Sequence, residues 1–119
     1  MVLNVKFAGT YVKLQAAYAS EKSAYGGWKL IGYSGPGTNQ SNAESSTTIN
    51  FTYGGTAGYN SEFETATEGW NATNNAKLND CTGGKHWKIT TVAIDNGVDA
   101  YTSWTDCKEL TPNFEKIGN

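Results

Sequence analysis

The chain has 119 residues, a usual length for one domain, and a domain of this size buries enough surface to form one core. Its formal net charge is −2, and all nine of its basic residues are lysines. Arginine supplies the bidentate contacts with phosphate and guanine, and nucleic-acid-binding proteins carry dense basic surfaces. The composition therefore excludes nucleic acid as an expected partner.

Charged residues make up only 17% of the chain, so asparagine, serine, threonine and glycine carry most of its polar character. Exposed helices favour long charged side chains, whereas threonine and aromatic residues favour pleated, half-buried surfaces. We therefore predict a single all-β domain over residues 1–119. Its expected form is an antiparallel β-sandwich or small barrel of about six to eight strands, with at most one short helix.

Strands are predicted near the start of the chain. Leu3–Tyr18 alternates between apolar and polar residues, and the parity changes near the middle, which indicates two strands joined by a bulge or a bend. Residues 18–24 are expected to form a short helical turn, and Trp28–Tyr33 a short strand. Ser34–Ser46 contains glycine, proline and a polar tract, so we predict a loop there.

The second half of the chain contains further strand-forming segments separated by turn residues. These segments are Thr47–Tyr53, Tyr59–Thr65, Lys85–Asp95 and Val98–Thr105. In the first of them, alternation places Ile49, Phe51 and Tyr53 on one face. Gly69–Asp80 lacks such a pattern and is predicted to be a loop.

Asn96-Gly97 is the strongest short-range signal for a β-hairpin, and it predicts a two-residue type I′ turn. Regular pairing from that turn places Ile89 opposite Trp104. Trp87 would then share a face with both of these residues. We therefore expect Trp87 and Trp104 to belong to the core.

The two cysteines, Cys81 and Cys107, are predicted to form a disulfide, with two buried free thiols as the alternative. A bridge across this loop would stabilise the fold by about 3–4 kcal/mol in the chain-entropy model. A disulfide favours a secreted or extracellular protein, and a cytoplasmic protein without a leader is the alternative. Polar and charged residues interrupt the N-terminal segment, so we expect neither a signal peptide nor a transmembrane segment there.

No catalytic arrangement stands out among the titratable residues. His86 is the one histidine, and no nucleophile motif lies beside it. Glu62 and Glu64 would share one side of a strand, which is more typical of a solvated face than of a glycosidase pair. Asp95 and Asp99 flank the Asn-Gly turn and are typical of such a turn. We therefore predict a protein that is not an enzyme and has no cofactor and no metal site.

Aromatic residues among turn residues are the main functional signal. The predicted ligand-binding residues are Trp28, Tyr33, Tyr59, Trp70 and Asn71. Rigid rings beside short polar side chains form a recognition surface, since the C–H face of a sugar packs on a flat ring while its hydroxyls meet amides. These residues predict a lectin-like carbohydrate binder whose partner is a glycan at a cell surface.

A second hypothesis is a protein that binds a lipid headgroup. Gly27–Leu30, then Ile49-Asn50, then Asp80-Cys81 with Trp87 soon after, resembles the order of signals in the acidic aegerolysin family of β-sandwich lipid-binding proteins. The resemblance implies a membrane-lipid binder or a component of a pore-forming toxin, with a role in toxicity or defence. The chain departs from the family in lacking arginine for its Gly-Arg motif and in having Asn79 where a tryptophan usually stands.

The third hypothesis is a structural, adhesive or protein-binding module. Aromatic side chains also serve as core filler in small β proteins, because each of them buries roughly 150–250 Å². In that case the rings would stabilise the fold without meeting a ligand. Assembly into a homo-oligomer is left open by the sequence.

Overall fold

The computed structural model describes residues 2–39, 45–56, 58–78 and 81–118. Within these residues the elements follow in chain order: α1 (Val2–Lys22), β1 (Tyr25–Gly26), α2 (Trp28–Ile31), β2 (Thr38–Asn39), β3 (Ser45–Thr47), β4 (Phe51–Gly54), β5 (Glu62–Phe63), β6 (Glu68–Asn74), β7 (His86–Asp95), β8 (Val98–Thr105) and a 3₁₀ turn (Phe114–Lys116). The predicted fold class is confirmed, since the described chain is mostly β and its antiparallel sheets are consistent with a small β-sandwich.

One large sheet organises the molecule. Its six strands lie in the order β2-β3-β4-β6-β7-β8, and all of them pair antiparallel, whereas β1 and β5 form a separate two-stranded sheet. Large side chains from β4, β6, β7 and β8 point to one side, which we call the core face: Phe51, Tyr53, Trp70, Ala72, Trp87, Ile89 and Tyr101. Helix α1 and strand β1 pack on this side.

The prediction of strands over Leu3–Tyr18 is wrong, because this segment forms α1, a helix of 21 residues. The helix is also much longer than the short helical turn expected over residues 18–24. Its buried positions recur three or four residues apart: Ala8, Tyr11, Gln15 and Ala19. The change of parity near the middle of this segment is what a period of 3.6 residues produces when it is compared with a period of two.

Gln15 fixes α1 against the rest of the fold. Its side chain is fully buried, and its amide bonds both backbone groups of Gly26: Nε2 donates to the carbonyl oxygen at 2.8 Å, and Oε1 accepts from the N–H at 2.8 Å. The second Nε2 hydrogen is directed to Tyr11 Oη at 2.9 Å. The amide thus takes the place of a neighbouring strand for β1, whose other partner is β5.

Three shorter segments differ from their predicted structure. Trp28–Tyr33 is not a strand, because it forms α2 and ends at Gly32, which has a φ of 76°. Thr47–Tyr53 is not one strand: Thr47 ends β3, residues 48–50 form a turn, and β4 begins at Phe51. Phe51 and Tyr53 are therefore buried in β4, while Ile49 is 92% exposed in the turn. Strand β5 covers only two residues of the segment predicted over Tyr59–Thr65.

The predicted loop Gly69–Asp80 is also wrong, since its first six residues belong to β6, a central strand of the large sheet. The segment is rich in asparagine and poor in β-branched residues, so its local preference for a strand is weak. It becomes a strand because β4 and β7 pair with it on both sides. The end of this predicted loop, at residues 79 and 80, lies outside the described residues.

The hairpin of β7 and β8 is confirmed, but its register differs from the predicted one. Asn96 and Gly97 have φ values of 54° and 76°, as a type I′ turn requires. An irregularity between Val92 and Asp95 then shifts the pairing by one residue, so that Trp104 lies opposite Lys88. Because a shift of one residue exchanges the two faces of a strand, Trp104 is not in the core, contrary to the prediction.

Tyr25 from β1 occupies the irregularity in this hairpin. Its hydroxyl donates to the carbonyl oxygen of Val92 at 2.7 Å and accepts from the N–H of Ala100 at 3.1 Å. These two backbone groups belong to residues that face each other across β7 and β8. The hydroxyl of Tyr25 therefore provides hydrogen-bond partners for backbone groups of β7 and β8 beside the irregularity, where their pairing is interrupted.

The predicted disulfide between Cys81 and Cys107 is present, and both residues are buried. It joins the segment before β7 to the segment after β8. The C-terminal segment then packs on the core, where Trp87 Nε1 donates to Thr111 Oγ1 at 2.7 Å. None of the helices in the described part of the chain is both long and apolar enough to span a membrane.

Replacing Gln15 by methionine tests the attachment of α1. The substitution keeps the side-chain length but leaves the buried N–H and C=O of Gly26 without their partner, at a cost of about 1–3 kcal/mol for each group. We expect urea denaturation followed by circular dichroism to show this loss. Lys13→Ala, at an exposed position of the same helix, should change the unfolding free energy by less than about 0.5 kcal/mol. Equal stabilities for the two variants would contradict this role of Gln15.

Candidate functional site

Three of the predicted ligand-binding residues lie in the core. Trp28, Tyr33 and Trp70 are at most 5% exposed, so no ligand can pack on their rings. Trp28 Nε1 donates to the carbonyl oxygen of Gly69 at 3.0 Å, and Trp70 Nε1 donates to Tyr33 Oη at 2.9 Å. Burial raises the pKa of Tyr33, which keeps its phenol neutral and able to donate. The prediction that these three rings meet solvent is wrong.

The glycines near these rings explain why aromatic residues among turn residues were wrongly predicted to be exposed. A Cβ atom at Gly35 would lie 2.8 Å from the ring of Trp28, and a Cβ atom at Gly69 would lie 1.9 Å from Tyr11 Oη. Glycine stands at these positions because a ring packs directly against the backbone. In this chain, glycine close to an aromatic ring marks tight packing and not an open loop.

The other two predicted residues lie apart from each other. Tyr59 is half-buried and packs against the core, and its carbonyl oxygen accepts from the N–H of Lys29 at 3.1 Å. Asn71 is half-buried in β6, and its neighbours Trp70 and Ala72 point to the core face. Asn71 therefore belongs to the opposite side of the large sheet. The predicted set of five residues does not form one surface.

The side of the large sheet opposite the core face is the candidate site, and we call it the open face. None of the described elements packs on it. The strand registers arrange its residues in rows that run across the strands. The threonine row contains Thr38, Thr47, Thr52, Thr73 and His86; the central row contains Ser45, Gly54, Asn71, Lys88 and Trp104; the outer row contains Glu68, Thr90 and Thr102.

An indole and three polar side chains form a continuous cluster on the open face, which we call the Trp104 cluster: Trp104, Lys88, Glu68 and Asn71. The ring of Trp104 is 45% exposed, and Lys88 Nζ lies 5.2 Å from its centroid. The same ammonium lies 3.4 Å from Glu68 Oε1, and Asn71 Nδ2 donates to Glu68 Oε2 at 2.7 Å. These contacts hold the four side chains in place across β6, β7 and β8.

The charges of the Trp104 cluster balance each other. Glu68 accepts from both Lys88 and Asn71, so its carboxylate is neutralised within the cluster. The amide of Asn71 has an acceptor oxygen and a second donor hydrogen besides this bond. The cluster therefore presents an aromatic surface beside amide and hydroxyl groups, without an excess of charge.

A second hydrogen-bonded pair, His86 and Asp106, ends the threonine row. The N–H of His86 donates to Asp106 Oδ1 at 2.7 Å, and His86 Nδ1 lies 3.3 Å from Asp106 Oδ2. Burial alone would raise the pKa of Asp106, but the hydrogen bonds from the backbone and ring of His86 bring it below its usual value. Asp106 therefore stays ionised and holds the ring of His86 at the end of the row.

The other titratable residues singled out in the sequence are far from the Trp104 cluster or serve the fold. Glu62 accepts a hydrogen bond from the hydroxyl of Tyr18, which joins β5 to α1. Asp99 accepts from Tyr101 Oη at 2.7 Å. Among the described residues, no three His, Cys, Asp or Glu side chains are grouped closely enough to hold a metal ion. That the protein is not an enzyme stays a prediction.

Sequence reasoning missed Trp104 because its side of the strand depends on the irregularity in the hairpin. Regular pairing from the Asn-Gly turn puts it beside Ile89, in the core. A parity signal was nevertheless present, since Thr102 and Trp104 alternate with Tyr101, Ser103 and the buried positions of β8. That signal shows which residues share a face, but it does not show which face is covered.

Comparisons with family models, with curated proteins and with solved structures find no match to this chain. The resemblance to the aegerolysin family therefore stays a prediction. Asp80, which belongs to the resemblance, and Asn79, where the chain departs from the family, lie outside the described residues. Trp28 and Trp87 are buried in the core.

The contrast between buried and exposed tryptophans can be measured. Trp70→Ala should lower the unfolding free energy by about 3–5 kcal/mol, because it leaves a cavity in the core and removes the donor to the Tyr33 hydroxyl. Trp104→Ala should cost about 1 kcal/mol or less, since its ring is near the surface. Acrylamide should quench the wild-type fluorescence in part, and Trp104→Ala should remove the quenchable component. Similar losses of stability in the two variants would contradict the register of β8.

Proposed function

We propose that this protein is a non-enzymatic carbohydrate-binding protein whose ligand lies on the open face against Trp104. The observation that carries the proposal is the exposed indole beside a hydrogen-bonded amide and carboxylate on a polar sheet surface. Sugar rings have an apolar C–H face that packs on an indole, and their hydroxyls both donate and accept hydrogen bonds. The site takes the place of the aromatic set predicted from the sequence, and Asn71 is the residue common to both.

The charge pattern favours a neutral sugar over an anionic ligand. Lys88 is engaged by Glu68, and His86 is engaged by Asp106. A surface that binds phosphate or an anionic headgroup needs cations that are not neutralised by neighbouring carboxylates. Hydroxyl and amide groups dominate the remainder of the open face, and these groups match the hydroxyls of a neutral glycan.

A membrane-lipid binder is the second candidate, and a separate surface favours it. A cleft of about 330 Å³ is lined mainly by apolar side chains, which include Phe7, Pro36, Phe51 and Tyr53. Ile49 lines the same cleft and is the most exposed large apolar side chain among the described residues. A lipid chain has the chemistry that such a cleft accepts. This candidate predicts binding that depends on Ile49 and not on Trp104.

The buried disulfide suits the oxidising environment outside the cytoplasm, where a cell-surface glycan would be met. We therefore propose a secreted or extracellular location together with the binding function. A protein-binding or structural module would share this location. It would differ in that free sugar would not compete with its partner.

Substitution of Trp104 tests the proposal. We expect Trp104→Ala to weaken retention on immobilised neutral polysaccharides by about tenfold or more, because the ring contact is lost while the fold remains. Val98→Ser is the matched control, since Val98 is exposed near the hairpin turn and outside the cluster. Affinity electrophoresis in polysaccharide gels measures both variants, and circular dichroism confirms that they fold.

Liposome co-sedimentation separates the candidates. If the wild type binds neutral liposomes and Ile49→Ser abolishes that binding, the lipid candidate replaces the first. Retention on polysaccharide that is equal in wild type and Trp104→Ala would refute the proposed site. An absence of binding to any glycan on an array would refute the proposed function.

A further inference from the structure

We propose that the ligand is an extended, linear, uncharged polysaccharide chain that crosses the strands along the central row, with Trp104 at one end. This inference rests on the proposed function and specifies its ligand. It concerns the whole open face, whereas the proposed function needs only the Trp104 cluster.

The register of the sheet supplies a continuous track. The central row runs over five strands, from Ser45 in β3 to Trp104 in β8. Neighbouring strands lie about 4.8 Å apart, so the four steps of the row span about 19 Å. This length exceeds one sugar ring several times over, and a single monosaccharide would cover only the end at Trp104.

The track has one position without a side chain, and threonine side chains lie beside it. Gly54 lies in the central row between Ser45 and Asn71 and has no side chain to rise above the sheet. The threonine row borders the track on one side. Thr90 and Thr102 of the outer row border it on the other side. A chain on the central row would therefore meet threonine hydroxyls on one edge over β3, β4 and β6, and on the other edge over β7 and β8.

The expected direction of the bound chain is across the strands, because similar side chains repeat in that direction and not along a strand. Along β7, the open positions change from an imidazole at His86 to an ammonium at Lys88, a hydroxyl at Thr90 and an isopropyl group at Val92. Across the strands, the threonine row repeats one side chain at four successive strands. A polymer of identical units is matched by a row of identical groups, so the repeating direction is the one that fits it.

The charges on the open face favour an uncharged chain. Lys88 and Glu68 neutralise each other, and the ring of His86 lies against the carboxylate of Asp106. A polyanionic chain would have to displace these partners to reach a cation, and a polycationic chain would meet no unpaired carboxylate in the Trp104 cluster. Neutral hydroxylated units bind without disturbing either pair.

A chain-length series tests the inference. The probes are neutral linear oligosaccharides of glucose, xylose and N-acetylglucosamine, from the monomer to the hexamer, and calorimetry on the full chain measures their affinity. We expect affinity to rise at least tenfold from the shortest bound member to the longest in the series that binds. Gly54→Thr should remove that gain by raising the floor of the track, while the affinity of the short members at Trp104 stays unchanged.

A second variant keeps the test valid if Gly54→Thr does not fold. Thr47→Val removes one hydroxyl at the end of the track remote from Trp104 and should reduce the affinity of the long members about threefold or more. Thr82→Val, at an exposed position outside the large sheet, is the matched control and should leave all affinities unchanged.

The outcomes separate the two proposals. Affinity that depends on Trp104 but not on chain length would overturn the track and leave the carbohydrate-binding function standing. Affinity that rises with length but is unaffected by both Gly54→Thr and Thr47→Val would also overturn the track. A lack of binding by every series, in the wild type as well, would overturn the proposed function and the inference together.

Discussion

The attachment of α1 to one face of the large sheet is the constraint on which the rest of the molecule depends. Gln15 supplies it by bonding both backbone groups of Gly26 inside the core. This contact places β1 beside the sheet, so that Tyr25 reaches the hairpin of β7 and β8. Without the amide, the N–H and C=O of Gly26 would be buried without this partner. The position of α1 relative to the sheet would then no longer be fixed by these two hydrogen bonds.

A consequence of this arrangement is the unequal chemistry of the two faces. The core face takes up three of the four tryptophans and most of the other large aromatic side chains. Each buried indole N–H has an acceptor inside the protein: the Gly69 carbonyl, the Tyr33 hydroxyl and the Thr111 hydroxyl. The open face is left with threonine, paired charges and one indole. The surface that is accessible to a ligand is therefore the open face, on which none of the described elements packs.

The position of Trp104 shows how a distant contact decides the role of a residue. The Asn-Gly turn starts the hairpin in the register expected from local geometry, with Asp95 opposite Val98. The hydroxyl of Tyr25 then bridges Val92 and Ala100, and from there onward the pairing has moved by one residue. That step turns Trp104 from the core face to the open face. The two registers differ in whether Trp104 meets solvent, and the side chain that bonds the strands at the shift, Tyr25, lies 67 residues from Val92 in the chain.

Local patterns were enough to predict the parts of the fold that local chemistry determines. The Asn-Gly turn, the strands on either side of it, the disulfide and the buried alternation of Phe51 and Tyr53 all follow from residue type and spacing. Helix α1 could not be separated from two strands, because its apolar residues fit both periods over a short stretch. Strand β6 was missed because its sequence has little preference for a strand and acquires one from its neighbours β4 and β7.

The candidate site was less predictable than the fold, and the reason is physical. An indole beside small or polar residues does not show in the sequence whether it is buried or exposed: Trp70 lies between Gly69 and Asn71 and is buried, whereas Trp104 lies between Ser103 and Thr105 and is exposed. What distinguishes them is the face of the strand on which they lie and whether an element covers that face. Trp70 Nε1 donates to Tyr33 inside the aromatic layer, whereas Trp104 has an ammonium beside its ring and solvent around it. Aromatic residues in a small β protein are therefore better assigned to core or ligand by strand register than by the residues next to them.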